Sequence, residues 1–373
     1  MSTKINLGIL FGGRSCEHEV SVVSARSVLE AIDREKYNVF LIGIDKQGKW
    51  HLGSDMKQLV SEKAVSALPL SQDTPSGSRE VSLDLYYQGN LAPTLNQDSG
   101  TPRLDVIFPV LHGTFGEDGT IQGVFEMAGI PYVGCGVAAS AIAMDKALAK
   151  QVFSAANIPQ APCIIITRTE WNTGSEAINL QIEDTLGYPI FVKPANMGSS
   201  VGVSKASDQD SLIKAIQTAF EYDNKIVVEQ SMENCHEVEC AVLGNQDPIA
   251  SQVGEIIPGA EFYDYQTKYI DDKTETLIPA TISDAAAKNV QELSVKAFKA
   301  IDGTGLSRVD FFVHRESQEV YLNEINTLPG FTPISMYPKM WAASGVPYDE
   351  LIDRLVELAI EQHRSRAALK RSF

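Results

Sequence analysis

The stretch Ser307–Asn326, SRVDFFVHRESQEVYLNEIN, carries the reading of the fold. In SRVDFFV a two-residue period puts Arg308, Asp310 and Phe312 on one face. In the second half the same period groups Val320, Leu322, Glu324 and Asn326, so an apolar face gives way to an acid and an amide. The polar HRESQ between them is short enough to close a hairpin. So paired, Asp310 faces Glu324 and Asn326. Three hard oxygen donors of low total charge suit magnesium bound together with phosphate; the plainer alternative is an exposed hairpin face.

Outward from this hairpin, the chain alternates strands and helices. INLGILF is read as a strand, SVVSARSVLEAID as a helix with Val22, Ala25, Leu29 and Ile32 on one stripe, and YNVFLIGI as a strand again. That order predicts a parallel, doubly wound sheet in an α/β fold. Residues 51–104 form a mixed insertion whose polar pieces SQDTPSGSRE and NQDSGTP mark loops, and LDVIFPVLHG resumes the sheet. MDKALAKQVFSAAN is a helix with Asp145 as its cap and Pro159 just beyond its end. YPIFVKP, a Gly/Ser turn, VGVSKA, the helix DSLIKAIQTAF and KIVVEQ then form a new unit. HEVECAVLG follows, then a loop rich in Gly, Tyr and Asp, a helix around 285–300, the hairpin, and the amphipathic YDELIDRLVELAIEQ.

Composition narrows the function. The 373 residues carry 48 acids against 31 bases, a net charge of −17, which argues against binding nucleic acid or an anionic membrane through bulk charge. No apolar run reaches the roughly 18 residues of a membrane span, and MSTKINLGILFGG lacks the marks of a signal peptide. Five scattered cysteines without a CxxC suit reduced thiols in a cytoplasmic protein. CHEVEC alternates like a strand, Val238 and Cys240 on one face and Glu237 and Glu239 on the other, and lacks zinc-site spacing.

Three Gly-rich turns could carry chemistry. FVKPANMGSSVGV sets Lys193 at a strand end before a turn whose N–H groups could cover phosphates. It also satisfies GxSxG, which raises a serine hydrolase with Ser200 as nucleophile; that elbow needs strand–turn–helix, whereas VGVSKA continues as a strand. FGGRSCEHEVS lacks GxGxxG, and its Glu17, His18 and Glu19 read alone as solvated residues of a helix start. HGTFGEDGT lies at the C-terminal end of a strand, where open α/β sheets bind ligands, although a lone His112 in a loop is usually incidental.

Taken together, FGGRSCEHEVS, HGTFGEDGTIQG, MDK, VKPANMGSSVGV, GAEFYDYQTKY, SRVDFF and LNEINTLPGFTPISM resemble, in order and over nearly the whole chain, the D-alanine–D-alanine ligases of the ATP-grasp superfamily. The resemblance implies a three-domain ATP-grasp fold: an N-terminal substrate-binding unit (1–145), a central ATP-grasp subdomain (146–236), and a C-terminal one with metal site and lid loop (237–373). It implies ATP and two magnesium (or manganese) ions as cofactors, D-alanine as substrate, a cytoplasmic homodimer, and a role in peptidoglycan precursor synthesis. Asp310, Glu324 and Asn326 match the metal ligands. Lys146, Lys193 and Ser200 match phosphate and nucleotide contacts; Glu229, Gln230 and Met232 match the adenine hinge, and Glu237 the ribose-binding acid. The hinge departs from some relatives, with glutamine for lysine at 230 and one residue inserted before Glu237.

By the same matching, Glu17 holds the first D-alanine's ammonium with His112 close by. Arg308 and the Gly330 N–H are oxyanion donors, and Lys268 and Ser335 hold the second substrate's carboxylate. Ser199 and Tyr269, linked to Glu17, close the 258–272 loop over the site. The implied chemistry transfers the γ-phosphoryl group to one D-alanine, and the second D-alanine's amine then attacks the acyl phosphate. Relatives that add D-lactate or D-serine second are the rivals within the family.

Overall fold

The computed structural model describes residues 4–52, 79–85, 89–93, 102–257 and 275–370. The expected strand–helix–strand start forms as β1 (Ile5–Gly12), α1 (His18–Ala31) and β2 (Tyr37–Ile44), with β1 and β2 parallel. At the end of β1 the chain turns at Gly12, where φ is +90° and a Cβ would strike the Ile44 carbonyl. Only glycine fits such a turn comfortably. The insertion supplies β3 (Trp50–Leu52), β4 (Arg79–Leu83) and β5 (Leu91–Pro93), and β6 (Val106–Pro109) returns parallel to β1. Among the described residues the sheet order is β5-β4-β3-β2-β1-β6. Its parallel part is therefore β2-β1-β6, and the insertion adds an antiparallel meander at one edge.

Next come α2 (Thr120–Ala128), α3 (Val137–Met144) and α4 (Lys146–Ala155). Asp145 caps α4 as expected, accepting the Ala147 and Leu148 N–H groups at 3.1 Å each. A second sheet, ordered β7-β10-β8-β9, comprises β7 (Cys163–Thr167), β8 (Ile190–Pro194), β9 (Ser204–Ala206) and β10 (Lys225–Gln230). Its helices are α5 (Arg168–Leu186), opened by a Thr167/Glu170 capping box, and α6 (Gln209–Tyr222).

The third sheet, ordered β13-β12-β11-β14-β15, comprises β11 (Cys235–Gly244), β12 (Ile249–Ile257), β13 (Glu275–Leu277), β14 (Gly305–His314) and β15 (Val320–Asn326). α7 (Asp284–Ala300) packs against it; α8 (Met336–Ala343) and α9 (Tyr348–Ala367) follow. One apolar core joins Leu7, Ile9 and Val22 of the first unit to Ala241 of β11, Trp341 of α8, and Leu351 and Leu355 of α9. No helix among the described residues is long and apolar enough to cross a membrane.

The expected hairpin forms, with β14 and β15 antiparallel, Arg308 opposite Asn326 and Asp310 opposite Glu324. The face assignment of β15 needs correcting. Register jumps from Asp310↔Glu324 to Phe311↔Leu322, so Asn323 is an extra residue, a β-bulge. Val320 and Leu322 point into the core, and after the bulge Ile325 takes over that side. Glu324 and Asn326 are thereby released to the opposite, cavity-lining face. The acid and amide do not share a face with Val320 and Leu322, because the bulge breaks the two-residue period.

Candidate active site

The hairpin floor, the Gly/Ser turn, the β10–β11 link and the first unit's loops line one cavity of about 550 Å³. Alternation on β14 is regular: Val309 and Phe311 are buried in the core while Arg308 and Asp310 face the cavity. Arg308 forks onto Asp310, Nε to Oδ1 and Nη2 to Oδ2 both at 2.7 Å, and Asn326 Nδ2 donates to Asp310 Oδ2 at 3.1 Å. Glu237 and Glu239 line the same cavity, opposite Phe312 and Asp310 in register, while Val238 and Cys240 enter the core as their alternation predicts.

Among the described residues no three His, Cys, Asp or Glu side chains are disposed to hold a metal. The donor set is instead two carboxylates and an amide, which are hard donors of the kind magnesium shares with phosphate. Asp310 accepts from Arg308, yet an ionised carboxylate offers about four acceptor positions. A half-turn of the Asn326 amide would present its oxygen. The residues therefore fit the ion.

Three lysines gather beside this floor. Lys146, at the start of α4, donates to the Met197 carbonyl at 2.7 Å and stands 4.0 Å from Glu324. Burial lowers its pKa against the opposing pull of Glu324. Lys193 lies 2.5 Å from Glu229, whose other oxygen pairs with Lys150. Burial alone would raise the Glu229 pKa, but Lys193 and Lys150 outweigh it and hold the carboxyl down at about 2. Burial likewise works against the Lys193 charge, and Glu229 reverses the effect, raising its pKa. Glu229 thus faces two ammonium groups, while Gln230, Ser231 and Met232 continue along the cavity wall.

At the mouth of the first unit, Glu17 and His18 are buried rather than solvated, because Gly12 and Gly13 fold the helix start inward. Ser199 donates to Glu17 Oε1 at 2.5 Å. Ser199 and Ser200 both adopt left-handed backbone, φ +51° and +58°, a strained conformation that clusters at functional sites. The turn runs from β8 into the antiparallel β9, without the helix a nucleophile elbow requires. His112 is buried, its Nδ1 donating to the Leu328 carbonyl at 3.1 Å and its Nε2 lying 3.2 Å from Ser24 Oγ. Burial opposes its protonation, but Glu117, 3.7 Å away, prevails and raises its pKa. His112 lines the same cavity as Glu17.

Gly330 lines the cavity. Ser335 stands beside it at the N-terminus of α8, with its hydroxyl 2.8 Å from Thr332 Oγ1. Lys268, Tyr269 and the rest of the expected lid loop lie outside the described residues. Sequence reasoning passed over Lys150, Glu117 and the role of Glu239. Lys150 follows Lys146 by one helical turn, a signal available in principle; Glu239 alternates with Glu237, but its partner Arg308 is remote in sequence.

Comparison with known proteins points to one family. The family described as D-ala D-ala ligase N-terminus matches residues 6–135, and that described as D-ala D-ala ligase C-terminus matches residues 152–357. A D-alanine–D-alanine ligase of Ruminiclostridium cellulolyticum is 50% identical over 374 residues, covering 97% of this chain and 96% of the relative. One from Acetivibrio thermocellus is 49% identical over 368 residues, covering 97% and 98%. Among solved structures, the D-alanine-D-alanine ligase from Coxiella burnetii superposes with a TM-score of 0.86 at 35% identity, covering 98% of this chain and 97% of that one. The VanG D-Ala:D-Ser ligase from Enterococcus faecalis gives 0.84 at 35% identity, covering 96% and 100%. The fold is that of an ATP-grasp enzyme. Within that class, the chain belongs to the D-alanine–D-alanine ligase family.

Proposed function

We propose that the chain joins two D-alanine molecules into D-alanyl-D-alanine, converting ATP to ADP and phosphate, for the peptidoglycan precursor. The observation that carries this reading is one cavity lined by Glu17, Ser199, Arg308, Gly330, Lys146 and Lys193. Glu17 accepts the ammonium of the first D-alanine, with Ser199 and His112 fixing the pocket around it. Lys146 and Lys193 neutralise the phosphates, so the first D-alanine's carboxylate oxygen bonds to the γ-phosphorus as the bond to ADP breaks. Glu229, Gln230 and Met232 border the adenine and Glu237 the ribose, and Ser200 lies in the phosphate turn. Arg308 and the Gly330 N–H stabilise the oxyanion formed when the second amine attacks. The amine loses its proton and phosphate departs.

Asp310, Glu324 and Asn326 would hold magnesium or manganese, which would supply charge neutralisation at the phosphates. Ser335 and Lys268 for the second carboxylate, and Tyr269 with Ser199 in the closing loop, rest on the family resemblance. So do the homodimer and the cytoplasmic location. The division at 1–145, 146–236 and 237–373 is supported by the three sheets, each drawn from one stretch apart from Cys235 and His236 of β11.

The test is ATP-dependent phosphate release with D-alanine, D-serine or D-lactate as second substrate, using first-substrate D-alanine labelled with oxygen-18 in its carboxylate. The dipeptide, with label in inorganic phosphate, is expected. AMP as a product, or preferential use of D-serine or D-lactate, overturns the reading.

A further inference from the structure

Arg308 has two carboxylate partners, and only one of them is a candidate metal ligand. Its fork onto Asp310 uses both oxygens of that carboxylate, while its Nε also lies 3.1 Å from Glu239 Oε2. Glu239 stands opposite Asp310 across β11 and β14, and Glu324 stands opposite Asp310 across β14 and β15. The three carboxylates form one row across three strands, with Arg308 lying against two of them. Glu239 is 5% exposed, and a carboxylate is retained at such depth when a charged group pairs with it.

Arg308 and Asn326 together take three of the roughly four acceptor positions on Asp310, so a divalent cation there draws on the same two oxygens that the fork uses. Loading the metal therefore loosens the fork just when Arg308 is needed at the reacting carbonyl. A guanidinium loosened from Asp310 within the cavity still requires a counter-ion, and Glu239 already touches it from a different strand. Glu239 is not among the proposed metal ligands, so loading need not disturb it.

Building on the proposed function, we propose that Glu239 is a positioning residue that holds Arg308 at the reaction centre once a divalent cation has taken Asp310. Neutralising Glu239 leaves Asp310 as the remaining carboxylate in contact with Arg308. The arginine then stays on Asp310, which both withdraws it from the oxyanion and obstructs the cation.

The test is a double-mutant cycle on the full chain with Glu239→Gln, Arg308→Met and both together. It is read by manganese binding with a non-hydrolysable ATP analogue and by steady-state kinetics. In the Arg308 background, Glu239→Gln is expected to weaken manganese binding about tenfold and to lower kcat while the KM for ATP stays within about twofold. In the Arg308→Met background the same change should shift manganese binding less than about twofold. Equal weakening in both backgrounds would mean that Glu239 attracts the cation directly, and overturns the proposal. So does wild-type behaviour of Glu239→Gln. Should that variant fail to fold in a thermal melt, Glu239→Asp keeps the charge but retracts it: kcat should fall with manganese binding retained, and unchanged kcat overturns the proposal. If the wild type itself neither forms the dipeptide nor binds manganese, it is the function reading that has failed.

Discussion

Glu229 shows how strongly single charges constrain this site. It is buried between Lys150 and Lys193, and removing its charge leaves two ammonium groups facing each other in a poorly solvated space. Breaking such a buried arrangement costs about 3–5 kcal/mol, so Glu229→Gln should melt well below wild type at pH 7. The pH dependence has a definite sign. The folded carboxyl titrates at about 2 against an ordinary 4.5, so its contribution is fully present above about 4.5 and is lost as pH falls toward 2. The gap between wild type and Glu229→Gln, measured by thermal melts from pH 7 to pH 3, should be level down to about 5 and then narrow. A gap of constant size would show that the charge of Glu229 is not what stabilises the fold.

At the scale of elements, the β14–β15 hairpin separates what could be read in advance from what could not. β14 is a regular strand, so Arg308 and Asp310 fall on the cavity side by simple alternation. β15 is not regular. Its bulge at Asn323 is a property of the pair, defined by where β14 supplies one fewer residue, and no period within YLNEIN announces it. Glu324 and Asn326 were therefore legible as ligand types but not as to the face they occupy. Gly/Ser turns, Asp145 as a cap and the α1 stripe were legible because each is set by neighbours in sequence. Contacts such as Glu239 with Arg308, or His112 with Leu328, were hidden because they depend on which strands and loops meet. Deleting Asn323 should restore the period with Leu322 and Ile325 still in the core and Glu324 and Asn326 still facing the cavity. That variant should stay within about 3 kcal/mol of wild type, and Asn323→Gly, which keeps the residue count, should cost about 1. Chemical denaturation of the two variants measures the difference. A much larger loss on deletion would mean that Leu322 and Glu324 do not keep their faces when the bulge is removed.

Over the whole molecule, the first unit has one apolar core of its own, around Leu10, Ile42 and Phe125, and shares a second with the end of the chain. Leu7, Ile9, Val22 and Val106 share a core with Trp341 of α8 and with Leu351, Ile352 and Leu355 of α9. Leu355 is fully buried there, so Leu355→Ala should cost about 2–5 kcal/mol. Because this shared core spans both ends of the chain, tryptophan fluorescence and loss of secondary structure should fall together in one transition. Two separated transitions would show that the first unit folds independently of α9. The shared core also bears on how the protein is made. A ribosome releases β1, α1, β2 and β6 long before α9, so the apolar side that α9 will cover stays wet through most of synthesis. Domains usually fold as they emerge, N-terminal first. Here one face of the first sheet must wait for the last helix, and a nascent chain stalled before Tyr348 presents to chaperones a surface that the finished protein never shows.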